Sequence, residues 1–120
     1  MATLNATLTL ASTDATSDTL SMTVTDSLTT TTPSVGISRV TITTADNQEL
    51  VDEATSGVFY FYAKNLDDTN FVILQTTASV QYARLSPGEF AFFPVNDSNG
   101  LEARADTASC SLEYAYWKKG

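Results

Sequence analysis

The chain has 120 residues, 42% of them hydrophobic, and carries fourteen Asp and Glu against six Lys and Arg, a net charge of −8, with one cysteine and no histidine. That length suits one domain with one core, burying roughly 65% of the surface the unfolded chain exposes. Sparse, scattered cations exclude a nucleic-acid partner, Cys110 alone makes neither an internal disulfide nor a zinc site, and no apolar run approaches the ~20 residues of a membrane span.

The opening segment, MATLNATLTL, has no cationic stretch and no continuous apolar run, so it does not read as a secretory signal. The triplets Asn5-Ala6-Thr7 and Asn96-Asp97-Ser98 are therefore read as chance matches to a glycosylation motif. Leu4, Ala6, Leu8 and Leu10 alternate with Thr3, Asn5, Thr7 and Thr9, and Leu20, Met22 and Val24 alternate with Ser21, Thr23 and Thr25. A period of two predicts strands with one thin apolar face. Val35 to Thr44 continues the pattern, with a register change expected near Arg39. From Met1 to Thr44 there are fifteen threonines and no Phe, Tyr or Trp. This third predicts an outer sheet or arm, because threonine suits strands but buries little.

Between Ala45 and Thr55 a helical turn is the only helix the sequence allows. Val58 to Ala63 (VFYFYA) is apolar at every position, as a central strand buried on both faces would be. Asn65 to Asn70 reads as a turn, followed by a strand at Phe71 to Leu74. Val80 and Tyr82 lead to RLSPGEFAFFPV (84–95), where Pro87 presets a turn and Gly88 supplies a positive φ. Phe90 and Phe92 point one way, Ala91 and Phe93 the other, and Pro94 stops ladder pairing. The three phenylalanines are expected at the centre of the core. The loop Asn96 to Gly100 precedes a strand at Leu101 to Ala105, and the last strand, Ser109 to Trp117, turns Cys110, Leu112, Tyr114 and Tyr116 inward.

Eight or nine short strands without a convincing helix predict an all-β fold, a β-sandwich or jelly roll, as a single domain over 1–120 with 1–44 as the arm and 57–117 as the aromatic core. Chemistry is sparse. Asp67 and Asp68 beside Asn65 and Asn70 lack the spacing of a calcium loop, and Asp46, Glu49, Asp52 and Glu53 read as a polar surface loop. Without histidine neither Cys110 nor a serine has an evident activator, and no carboxylate pair is singled out, so the protein is expected not to be an enzyme and to need no metal or cofactor. Candidate interface residues are Leu4, Leu8 and Leu10, on an edge undefended by charge or proline, and Tyr60 and Tyr62, whose face is core, protein interface or sugar-stacking platform.

The order of turns in NLDDTNFVIL, LSPGEFAFFPV and LEARADTASCSLEYAYW, with LTLASTDATSDTLSMTVTDSLTTTTPSVGISRV before them, resembles small all-β virion structural proteins of tailed bacteriophages, of the marine and cyanobacterial type. Within that group it is similar to capsid decoration, or cement, proteins. The resemblance implies a sandwich or jelly roll, self-association into a trimer, and docking on the phage major capsid protein at the outer capsid surface after synthesis in the bacterial cytoplasm. It carries over no catalytic or ligand residue. The alternative is a tail, neck or fibre component that binds another virion protein or a host-surface glycan.

Overall fold

The computed structural model describes residues 2–46, 48–51, 58–96 and 100–120. Asp52, Glu53 and residues 97–99 of the Asn96 to Gly100 loop lie outside them. The described residues are all-β, with no helix and nine strands: β1 (Ala2–Ser12), β2 (Leu20–Ile42), β3 (Gln48–Val51), β4 (Phe59–Asn65), β5 (Val72–Gln75), β6 (Gln81–Leu85), β7 (Phe90–Val95), β8 (Leu101–Ala105) and β9 (Cys110–Lys119). One sheet has the order β1-β2-β9-β4-β7 and the other β3-β8-β5-β6. The architecture is a β-sandwich. The strand β3, too short for alternation to reveal, occupies the segment where only a helical turn was expected.

Two compact units divide the chain, Met1–Thr31 with Gly120, and Thr32–Lys119. In the first, β1 and the opening part of β2 form an antiparallel ribbon of eleven residue pairs, from Ala2 opposite Thr30 to Ser12 opposite Leu20. Its length is about 35 Å at the rise of an extended strand.

In the second unit the strands from β2 onward pair in a nested series: β5 with β6, β4 with β7, β3 with β8, and β2 with β9. The core lies between the two sheets. Phe59, Phe61 and Ala63 of β4 and Cys110 and Leu112 of β9 meet Val72 and Leu74 of β5 and Leu101, Ala103 and Ala105 of β8. Tyr114 and Tyr116 pack against this cluster, as the inward alternation of the last strand predicts. Phe59 meets the Tyr116 ring edge-on at 5.4 Å, and Phe61 lies 5.7 Å from Phe93 and 6.5 Å from Tyr114. Such ring pairs add roughly 0.5–1.5 kcal/mol beyond burial of area.

The expectation for Phe90, Phe92 and Phe93 is corrected. Phe90 is 62% exposed, Phe92 is 41% exposed, and only Phe93 packs against the core, while β7 ends its sheet rather than running through the middle. Register decides this: Phe90 and Phe92 lie opposite Lys64 and Tyr62, on the outward face of β4, whereas Phe93 lies opposite the buried Phe61. Pro94 does not stop the ladder as expected: it lies opposite Tyr60 and pairing runs on to Val95, because on an outermost strand its missing amide hydrogen costs little. The preceding turn is as expected, with Gly88 at φ 80°, the Glu89 amide donating to the Ser86 carbonyl at 2.9 Å, and the Ser86 amide donating to the Glu89 carboxylate at 2.7 Å.

Candidate interaction surfaces

Register in the ribbon sorts its side chains by face. Leu4 lies opposite Leu28, Leu8 opposite Val24 and Leu10 opposite Met22, so all six share one side with Leu20. The other side pairs Thr3 with Thr29, Asn5 with Ser27, Thr7 with Thr25 and Thr9 with Thr23. There Ser27 donates to the Asn5 side-chain oxygen at 2.6 Å. Within the apolar row the one charge is Asp26, opposite Ala6. Leu8, Leu10, Met22 and Val24 are exposed, and Leu4 is half-buried. A two-stranded ribbon cannot bury both sides of a leucine row by itself, and isolated hairpins are marginal in water.

Tyr60 and Tyr62 face away from the core on β4. Across from them lie Trp117 and Ala115 on β9 and Pro94 and Phe92 on β7. Tyr60 is nevertheless only 8% exposed, and its ring lies nearly parallel to that of Phe92, with centroids 6.3 Å apart. Tyr62 is half-buried and donates its hydroxyl hydrogen to the Glu113 carboxylate at 2.8 Å. Neither tyrosine offers the free, flat platform that sugar stacking needs. The exposed aromatic area of this face belongs to Phe90 and Phe92 instead, which alternation grouped together but could not orient.

Burial, and next the Glu113 hydrogen bond and charge, raise the Tyr62 hydroxyl from its usual 10 to about 12. The protonated form is therefore favoured in the folded state. This contribution is full below pH 10 and is lost as pH rises from 10 to about 12. Unfolding midpoints measured across that interval should fall more steeply for the wild type than for Tyr62→Phe; parallel curves would show that the hydroxyl contributes nothing.

The acidic turn is a scaffold rather than a ligand cage. The Asp67 carboxylate accepts the amides of Asn70 at 2.6 Å and Thr69 at 3.0 Å, and these two bonds lower its pKa. Asp68 accepts the Thr69 hydroxyl. Among the described residues no three acidic, cysteine or histidine side chains are grouped to hold a metal ion. Of the second acidic group, Asp46 pairs with Arg104 at 3.3 Å. The Cys110 thiol is buried, and burial first, then the Asp67 and Asp106 charges, push its pKa upward, away from the thiolate that chemistry would require. Compared with the models of known protein families and with curated proteins, the chain matches none.

Proposed function

We propose that this protein is a virion structural protein of a tailed phage, a capsid decoration protein that binds the outer surface of the shell through the β1–β2 ribbon, and that its nested strand pairing is that of a jelly roll. The observation that carries the reading is the ribbon's uncovered aliphatic row, with Leu8, Leu10, Met22 and Val24 exposed along one side and threonines along the other. Contiguous exposed apolar surface marks an interaction site, and an eleven-pair ribbon presents it as a long strip suited to a groove or sheet on a larger assembly. The resemblance to phage decoration proteins supplies the partner, the major capsid protein. A net charge of −8 suits the outside of a shell better than its DNA-facing side.

Two double variants separate the faces. Leu8→Asp with Val24→Asp should weaken co-sedimentation with empty shells of the encoding phage by about a hundredfold, the scale expected when two charges must be desolvated in an apolar contact. Thr7→Asp with Thr25→Asp, on the opposite side of the same pairs, should leave binding nearly unchanged. Equal binding by both variants and the wild type would remove the ribbon from the interface.

A further inference from the structure

One edge of the sandwich lies where β6 ends one sheet and β7 ends the other. Along that edge the Tyr82 ring meets the Phe93 ring edge-on at 5.8 Å, which caps the core there. At the β6–β7 turn a cleft of about 440 Å³ remains, lined by Arg84, Leu85, Gly88, Glu89 and Phe90. Leu85 is buried and the other four are exposed, so the cleft has an apolar base and opens to solvent. At Gly88 a Cβ would meet nothing within 4 Å, and this wall is bare backbone.

The two charged side chains of the cleft are held by contacts that leave hydrogen-bonding capacity free. The Arg84 guanidinium lies 3.7 Å from the centroid of the Phe71 ring, a contact made through its flat face that leaves its in-plane N–H donors available. Among the described residues it makes no salt bridge. The Glu89 carboxylate accepts the Ser86 amide at one oxygen, Oε1, at 2.7 Å, and the other oxygen is open to a donor. The turn beneath is fixed as well, the Gly88 amide donating to the Asn65 carbonyl at 3.0 Å and the Glu89 amide to the Ser86 carbonyl at 2.9 Å. Beside them stands the Phe90 ring, 62% exposed. Groups fixed in this way lose little freedom when a ligand arrives.

We propose that this cleft binds one ring of a neutral glycan, whose C–H face lies on Phe90 while Arg84 donates to its hydroxyls and Glu89 accepts from them. A sugar ring is apolar on its faces and polar at its rim. The cleft matches that with one flat aromatic ring, one fixed donor fork and one fixed acceptor above an apolar base. Its one cation and one carboxylate cancel, which selects against a charged ligand, and a net charge of −8 repels phosphate. A peptide strand is disfavoured at both edges, because Pro94 blunts β7 and β6 shifts register beside Gln75 and Gln81. The open mouth leaves the rest of a glycan chain in water. This site lies within residues 84–90 and does not depend on shell binding by the ribbon.

Titrating the full chain with maltotriose, laminaritriose and α-mannotriose, followed by backbone amide chemical shifts, tests this. At least one should bind with a Kd of about 1 mM, the strength expected when roughly a dozen heavy atoms of one ring meet an open site, and should shift the Gly88 and Glu89 amides first. Trigalacturonate and the glucosamine trimer, one anionic and one cationic, should bind about fivefold more weakly. Phe90→Leu keeps apolar bulk without the flat ring and should weaken binding about tenfold, whereas Phe90→Tyr should bind as the wild type does. Arg84→Gln, which removes the donor fork, should weaken it about fivefold. Phe92→Ala, on the same strand but outside the cleft, should leave binding unchanged. Unfolding midpoints establish that each variant folds. The proposal is overturned if none of the three neutral sugars shifts these amides at tens of millimolar, if Phe90→Leu or Arg84→Gln binds as tightly as the wild type, or if a charged trimer binds more tightly than every neutral one. The variant Leu8→Asp with Val24→Asp should bind the sugar normally, so the shell-binding reading and this one can fail separately.

Discussion

Replacing Phe61 with alanine should lower stability by about 3–5 kcal/mol, a large share of the 5–15 kcal/mol typical of a folded domain. Phe61 has no exposed surface, and its ring is enclosed by Phe93 and Tyr114 inside the sandwich. Deleting it loses the transfer free energy of the ring and leaves a cavity that surrounding strands, held on both sides by β7 and β9, cannot fill. Phe90→Ala, in a ring mostly in water, should cost no more than about 0.5 kcal/mol. Urea denaturation of both variants measures the contrast. A comparable loss from Phe90→Ala would mean that the Phe90 ring is buried in the state being unfolded.

The second large effect is expected at Asn65. Its side chain is fully buried and donates two hydrogen bonds, to the Asn70 carbonyl at 2.9 Å and the Leu85 carbonyl at 3.0 Å, while its oxygen accepts the Asp67 amide at 2.9 Å. Its backbone is engaged as well, the amide donating to the Glu89 carbonyl and the carbonyl accepting from the Gly88 amide. One residue therefore ties the β4–β5 turn to the β6–β7 turn. Asn65→Ala leaves these partners without a bond in a region that water reaches poorly, at about 1–3 kcal/mol for each buried group left unsatisfied, so a total near 3 kcal/mol is expected. Asn65→Asp should be nearly as damaging, since a carboxylate replaces the two-proton donor with acceptors facing carbonyls. Hydrogen exchange should rise first at the Asp67, Thr69 and Asn70 amides. If exchange there stayed at the wild-type rate, the Asp67 carboxylate alone would be holding the turn.

Much of this architecture follows from local pattern. Period-two alternation in Leu4 to Leu10 and Leu20 to Val24 dictates strands, because only an extended chain puts every second side chain on one face. Unbroken apolar character in Val58 to Ala63 points to a strand inside its sheet, which β4 is, although Tyr62 on its outward face is only half-buried, and the Pro87-Gly88 pair dictates a tight turn, since one residue fixes φ and the other tolerates its positive value. The inward set Cys110, Leu112, Tyr114 and Tyr116 was legible for the same reason.

What alternation cannot supply is the identity of the neighbouring strand. Phe90 and Phe92 are grouped by their own sequence, but whether that group meets the opposite sheet or water depends on the register that sets them opposite Lys64 and Tyr62 on the outward face of β4. Pro94 carried the one local hint of an outermost strand. The ribbon face was half visible: the β1 leucines are evident in sequence, yet their continuation into Leu20, Met22, Val24 and Leu28 depends on a pairing register fixed by the Ala2–Thr30 and Ser12–Leu20 ends. Asn65 reads as an ordinary turn residue, and its role as a buried tie appears only when β4 and β6 end beside one another. The stacking of Phe92 on Tyr60 is likewise tertiary, because residues far apart in sequence meet only after β4 and β7 are hydrogen-bonded side by side. Local sequence sets backbone conformation through sterics and period; which surfaces end up dry is set by the long-range pairing of strands, an order that no single segment encodes.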